Sequence, residues 1–133
     1  MATADVELVR EGYEYFRRTG KPPLHLFDAD IVWKVDAMPE GQAVRGHEAV
    51  TELLSSLHEM FAGYYPELEE YEDLGDGLVL AVVRQHGKAR ESGVELGTLG
   101  VFFHVWEVRG GTIVRHEAYF DKEKALDAAG VTR

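Results

Sequence analysis

Residues Val94 to Phe120, VELGTLGVFFHVWEVRGGTIVRHEAYF, read as a long strand, a tight reversal at Arg109-Gly110-Gly111-Thr112 and a second long strand. Paired glycines supply the positive-φ positions that a short hairpin turn demands. Side chains alternate along a strand, so Phe102, His104, Trp106 and Val108 share one face, with Val101, Phe103, Val105 and Glu107 on the other. On the returning strand Val114, His116, Ala118 and Phe120 fall on one side, with Ile113, Arg115, Glu117 and Tyr119 on its reverse. Imidazoles and an indole among apolar neighbours suit the wall of a cavity. The expectation is that one face of this hairpin lines a pocket and that the rest of the chain closes it.

At 133 residues the chain is expected to form one domain, 1–133, long enough to bury a core. Acidic residues outnumber basic ones by 24 to 14, for a formal net charge of −10. That balance, with no cluster of Lys and Arg, argues against nucleic acid or an anionic membrane as a partner. Cysteine is absent, which excludes disulfides and thiolate metal sites. The opening MATADVELVREGY lacks the basic-then-apolar order of a secretory signal, and no apolar run approaches the roughly 18 residues of a membrane span. These features lead to the expectation of a soluble, cytoplasmic protein.

Taken in order, Ala4 to Thr19 has a helical period, with Val6, Val9, Tyr13 and Phe16 at three- and four-residue steps. Gly20 and Lys21-Pro22-Pro23 stop it, and Leu24 to Phe27 can form one further turn. Ile31 to Val35 reads as a short strand, with a loop marked by Pro39, Gly41 and Gly46 after it. His47 to Ala62 is a second helix with an apolar stripe of Val50, Leu53, Leu54, Leu57, Met60 and Phe61. Glu67 to Leu74 resembles a polar edge strand, Asp76-Gly77 a turn, and Leu78 to Arg90 a long strand. Asp121 is placed to cap a last helix, KEKALDAA, that Gly130 ends. Helix, strand, helix and then several antiparallel strands predict an α+β fold, with helices on one face of a curved antiparallel sheet. The central strands are apolar on both sides, so the outer face also needs cover, and a second copy of the chain is expected to supply it.

The phrases DADIVW, AVRGHEAV, the ESG turn, FFHVWEVRGGTIV and AYFDKEKALDAAG resemble the SnoaL-like branch of the nuclear transport factor 2-like superfamily. The resemblance covers nearly the whole chain. Polyketide cyclases, ketosteroid isomerases, limonene-epoxide hydrolases, dehydratases and non-catalytic binding modules share this fold, so it implies an architecture and leaves the reaction open. It implies a cone-shaped sheet whose concave face holds a pocket closed by helices, and dimerisation through the sheet. On that register Phe102, His104 and Trp106 point into the cone, as do His116, Ala118 and Phe120. Trp33 and Val35 join them from the first strand, and Tyr13 and Phe16 from the first helix.

The resemblance implies several chemical arrangements. In an isomerase-like one, Tyr13 falls at the place of the family's oxyanion-hole tyrosine and His104 at that of its protonated acid donor. A neutral imidazole donates one hydrogen bond, so His104 can replace that acid in polarising a carbonyl. Asp36 lies near the place of the carboxylate base, although alternation points Val35 inward instead. In a cyclase-like arrangement His116 holds the place of an acid on the last strand, opposite His104. Imidazoles with an unperturbed pKa of about 6.5 can relay protons. A hydrolase-like arrangement requires carboxylates where His86 and Ala118 stand, so that reaction is excluded. Arg84 and His86 remain candidates to hold a polar ligand group, and equally suit a solvated strand face. Convergence of His86, His104 and His116 on zinc has no local ligand spacing behind it. No metal and no cofactor is expected.

The expected ligand is a small, largely apolar or aromatic, carbonyl-bearing molecule held against Trp33, Phe102, Trp106 and Phe120. As an enzyme the protein would perform isomerisation, cyclisation or dehydration by acid/base chemistry. Tyr13 and His104 would polarise an oxygen while His116 or Asp36 moves the proton. The rival expectation is a non-catalytic ligand-binding or dimerisation domain whose histidines are structural hydrogen-bonding residues.

Overall fold

The computed structural model describes residues 3–35 and 43–130. Helix α1, Ala4–Thr19, starts on Thr3, whose hydroxyl accepts from the Val6 amide at 3.2 Å, and ends on Gly20, which is left-handed at φ 73°. The hydroxyl satisfies an orphan amide, and glycine takes the left-handed cap without a Cβ clash. Val6, Val9, Tyr13 and Phe16 form the buried stripe that the period predicts. A 3₁₀ turn at Leu24–Leu26 leads into β1, Phe27–Val35. The two-residue strand β2, Val44–Arg45, precedes α2, His47–Met60, which buries Val50 and Leu54. Then follow β3, Phe61–Gly75; β4, Leu78–Ala89; β5, Val101–Arg109; and β6, Thr112–Tyr119. Helix α3, Lys122–Ala128, is capped by Asp121, whose carboxylate accepts from the Glu123 and Lys124 amides.

The fold is α+β, built on one six-stranded sheet in the order β2-β1-β6-β5-β4-β3. The sheet is mixed. Neighbouring strands run antiparallel except β1 and β6, which pair in parallel after the chain has passed through β2, α2 and three further strands between them. The polar strand at Glu67 to Leu74 is part of β3, at the sheet edge, where charged side chains discourage unwanted pairing.

Three local expectations change. The strand expected from Val94 begins only at Val101, because Gly97 and Gly100 interrupt the pattern and Leu96–Leu99 forms a 3₁₀ turn. Glu107 pairs with Arg115 whereas Val108 pairs with Ile113, so β6 carries an extra residue, Val114. This bulge resets the alternation and turns Ile113 into the core beneath α1, where simple counting had placed it outside. Finally, of the α-helices among the described residues, only α1 and α2 cover the concave face. On the convex face α3 packs Ala125 and Leu126 with Leu80, Val105 and Tyr119. Part of the cover expected from a second copy thus comes from the chain itself. Among the described residues no helix is long and apolar enough to cross a membrane.

Candidate functional site

The strand registers assemble the site row by row. Trp33 of β1 lies beside His116 of β6, which lies beside Trp106 of β5, and Val79 of β4 follows. The next row is Val35, Ala118, His104 and Ala81. One row further, Phe102 stands beside Val83. His116 is therefore walled by an indole on each side within its own row, and Ala118, the small residue beside it, leaves space above the sheet.

Helix α1 lays Tyr13 across these rows. Its hydroxyl oxygen accepts the Trp106 indole N–H at 2.8 Å and lies 2.7 Å from His104 Nδ1. Burial pushes the Tyr13 pKa well above the usual phenol range, so the hydroxyl keeps its proton. Burial also lowers the pKa of His104 to about 3, leaving its ring neutral. An indole can only donate, and the buried phenolic proton has no other acceptor among the described residues, so it goes to His104 Nδ1, which accepts. That fixes His104 as the Nε2–H tautomer. The relay runs from Trp106 N–H to Tyr13 O–H to His104 Nδ1, and its outcome is an N–H at Nε2 for a further acceptor.

His116 is 1% exposed and stacks on Trp33 with ring centroids 3.8 Å apart. Its centroid lies 4.4 Å from that of Trp106 and 4.7 Å from that of His104. Burial, and then the neighbouring His104, hold its pKa well below the usual imidazole range. Among the described residues neither of its ring nitrogens has a hydrogen-bond partner. An unpaired buried polar group costs about 1–3 kcal/mol, so such a group inside a cavity wall invites a functional explanation.

Two adjoining hollows meet at these imidazoles. A narrow one of about 50 Å³ lies beneath α1, among Val9, Tyr13, Phe16, Phe27, Trp106 and Ile113. A wider chamber of about 350 Å³ lies beneath α2, walled by Leu53, Leu54, Leu57, Phe61, Leu96 and Phe102. Both are lined by Trp33, Leu54, Tyr64, His104 and His116. The chamber has the size of a small-molecule site.

Of the residues expected here, Tyr13, Phe16 and Trp106 line the narrow hollow, Val35, Phe102 and Ala118 line the chamber, and Trp33, His104 and His116 line both. Three others are placed elsewhere. Strand β6 ends at Tyr119, so alternation no longer orients Phe120. It is 55% exposed and meets Phe102 edge-on at 4.9 Å between centroids. Arg84 donates to Glu69 at 2.8 Å and to the Gly97 carbonyl at 2.7 Å. His86 Nε2 lies 2.7 Å from a Glu67 carboxylate oxygen. Ala81 and Val83 belong to the core under α1 and set the parity of β4, so the inward residue of this stretch is Gln85. His86 therefore does not converge with His104 and His116. Asp36 lies outside the described residues.

Gln85 is a chamber residue that was not among the candidates, and Tyr64, in a Tyr64-Tyr65-Pro66 stretch expected to border the pocket mouth, lines the chamber beside it. The Tyr64 hydroxyl donates to Gln85 Oε1 at 2.6 Å, and both side chains are buried. No carboxylate lines the chamber among the described residues, so its polar side chains are the two imidazoles, the Trp33 indole and this tyrosine–amide pair.

Comparison with known proteins agrees with this fold. No curated protein matches the chain in sequence. Among solved structures, a nuclear transport factor 2-like protein from Burkholderia thailandensis shares 26% identity over 95% of this chain and 98% of its own, with a TM-score of 0.71. A nuclear transport factor 2-like protein of unknown function from Burkholderia pseudomallei shares 22%, over 95% and 97%, with a TM-score of 0.73. A proposed polyketide cyclase from Sinorhizobium meliloti shares 18%, over 84% and 93%, with a TM-score of 0.64. These likenesses show a common fold. The SnoaL-like domain family matches residues 9–116, which is most of the chain and runs from within α1 to His116, and the chain belongs to that family.

Proposed function

We propose that the protein binds a compact, uncharged, largely apolar molecule with a carbonyl-type oxygen, and that it promotes a cofactor-free proton shift in it, such as an isomerisation, cyclisation or dehydration. The observation that carries this reading is the Trp106–Tyr13–His104 relay, which leaves the His104 Nε2–H as a fixed donor in an apolar wall beside an unpartnered His116. A neutral imidazole aimed at a carbonyl oxygen stabilises the negative charge that develops there on enolisation, and it does so without reorganising. Tyr13 thus acts through His104, since its own proton is already committed. His116, whose two ring nitrogens are both buried and unpartnered among the described residues, takes the proton from the adjacent carbon once its ring turns a nitrogen toward the chamber. An ionic ligand does not suit the site, because no charged side chain among the described residues lines the chamber.

Deuterium exchange tests the proton shift without knowledge of the natural substrate. With acetophenone in D₂O, the wild type should exchange the methyl protons α to the carbonyl faster than buffer does. His116→Phe should remove that excess, and His104→Ala should reduce it by about 10²-fold. A second reading, binding without turnover, is favoured by one observation: burial weakens His116 as a base. Acetophenone that perturbs His104 without any excess exchange would establish this second reading over the first.

A homodimer through the part of the convex face that α3 leaves uncovered belongs to the same proposal, supported by half-buried Val82 and Val101 on that face.

A further inference from the structure

We propose that Gln85 is a second polar anchor in the chamber, so that the preferred ligands carry two acceptor oxygens, one for His104 and one for Gln85, across an apolar body. This rests on the reading of His104 as a carbonyl donor given above.

The orientation of the Gln85 amide follows from its neighbour. Tyr64 is 9% exposed, its hydroxyl lies 2.6 Å from Gln85 Oε1, and no other acceptor within reach takes its proton among the described residues. Burial raises the Tyr64 pKa, so the hydroxyl remains a donor. Turning the amide over would set an N–H₂ group against the hydroxyl oxygen and leave the buried phenolic proton without an acceptor, at a cost of about 1–3 kcal/mol. Tyr64 therefore holds Oε1, and the two N–H donors at Nε2 face away from it. Gln85 is itself 8% exposed and lines the chamber, and its N–H₂ group has no partner among the described residues.

Ladder geometry sets the spacing of the anchors. His104 pairs with Ala81 on β4, and Gln85 lies four residues further along that strand. Four strand residues span about 13 Å at the backbone, so the side chains approach the chamber from separate ends. Between them stands Phe102, which is paired with the buried Val83 and offers apolar surface and no hydrogen bonds. A ligand with a single oxygen leaves one buried donor unpaired, whereas a ligand with an acceptor at each end pairs both. Selectivity against a molecule lacking one acceptor comes from the donor it strands.

The test compares 1,4-diacetylbenzene with 4-isopropylacetophenone, which has nearly the same shape and lacks one oxygen. Affinities are measured by NMR titration, with the His104 Nε2–H and the Gln85 side-chain amide as reporters. In Gln85→Leu the ratio of affinities, diketone over monoketone, should fall about five- to tenfold from its wild-type value, because the diketone loses a bond and the monoketone no longer strands a donor. Gln85→Met provides the same comparison with an unbranched side chain if the leucine variant folds poorly. Tyr64→Phe frees the amide to turn and should lower the ratio by a smaller factor. An unchanged ratio in the Gln85 variants, with both probes still shifting His104, overturns the second anchor and leaves the proposed function intact. Failure of both probes to shift His104 in the wild type overturns that function and the anchor with it.

Discussion

Tyr13 holds the site together through one oxygen. Its hydroxyl accepts from Trp106 and donates to His104, so Tyr13→Phe removes both bonds while keeping the ring in the core. The expected outcome is a loss of about 1–3 kcal/mol in urea unfolding, because the indole N–H and His104 Nδ1 are left buried and unpaired. In ¹⁵N spectra of the imidazoles, His104 should change from a single Nε2–H tautomer to a mixture. Retention of one tautomer would show that something other than Tyr13 sets it. Ala118 matters for a different reason: it is small. Ala118→Leu adds volume where the chamber opens and should weaken acetophenone binding at least about tenfold, for a stability cost of about 1–3 kcal/mol from overpacking. The helical period brought out Tyr13, and alternation brought out His104, His116 and Trp106. Gln85 was equally legible in principle, since Ala81 and Val83 share its parity, but the first half of β4 is apolar on both faces and hides which face is inward.

At the scale of elements, the site depends on how β4, β5 and β6 are held in register. The turn into β4 brings Gly77 so close to β5 that a Cβ there would lie 2.3 Å from the Val108 carbonyl oxygen. The Val108 amide donates to the Gly77 carbonyl at 2.7 Å, so neither strand can move away without losing that bond. Gly77 also has φ 81°, a conformation that side chains disfavour. Gly77→Ala should therefore cost roughly 3 kcal/mol in urea unfolding. Gly110→Asn is the control. It has φ 58° at the β5–β6 turn, with open space around its Cβ position, and asparagine tolerates that conformation at under about 1 kcal/mol. Equal effects at the two sites would contradict the close approach at Gly77. The bulge at Val114 belongs to this scale as well. Nothing in TIVRHEAYF marks it, because the extra residue exists only relative to β5, and it is why Ile113 and His116 can both reach the concave side.

For the whole molecule, burying two imidazoles without charge makes stability depend on pH. An unfolded imidazole titrates near 6.5, whereas folded His104 titrates at about 3 and His116 is also strongly lowered. Between those values the unfolded chain binds more protons than the folded one, so stability is full above about pH 6.5 and falls as the pH drops toward the folded pKa values. At pH 5 the loss relative to pH 7 is about 2 kcal/mol for each imidazole. Urea unfolding at the two pH values should show this slope, and His104→Gln should remove roughly half of it. A wild type equally stable at both would mean that the imidazoles are more hydrated than their burial indicates. The proposed homodimer is checked by sedimentation equilibrium at micromolar concentration. A monomer there would leave α3 as the principal cover of the convex face.

The sequence by itself determined the elements whose signals are local. The stripe and caps of α1, the Asp121 cap of α3, the Gly110-Gly111 reversal and the alternation of β5 depend on near neighbours in the chain, and periodicity displays them. The same patterns brought out most of the side chains that meet beneath the helices. Tertiary structure alone decided the parallel pairing of β1 with β6, the reset at Val114, the outward placement of Arg84, His86 and Phe120, and the tautomer of His104. Each of these is a relation between residues far apart in the chain, fixed by which strand lies beside which and by what a buried donor finds opposite it. No local pattern carries such information, because it exists only once the sheet has closed over its own core.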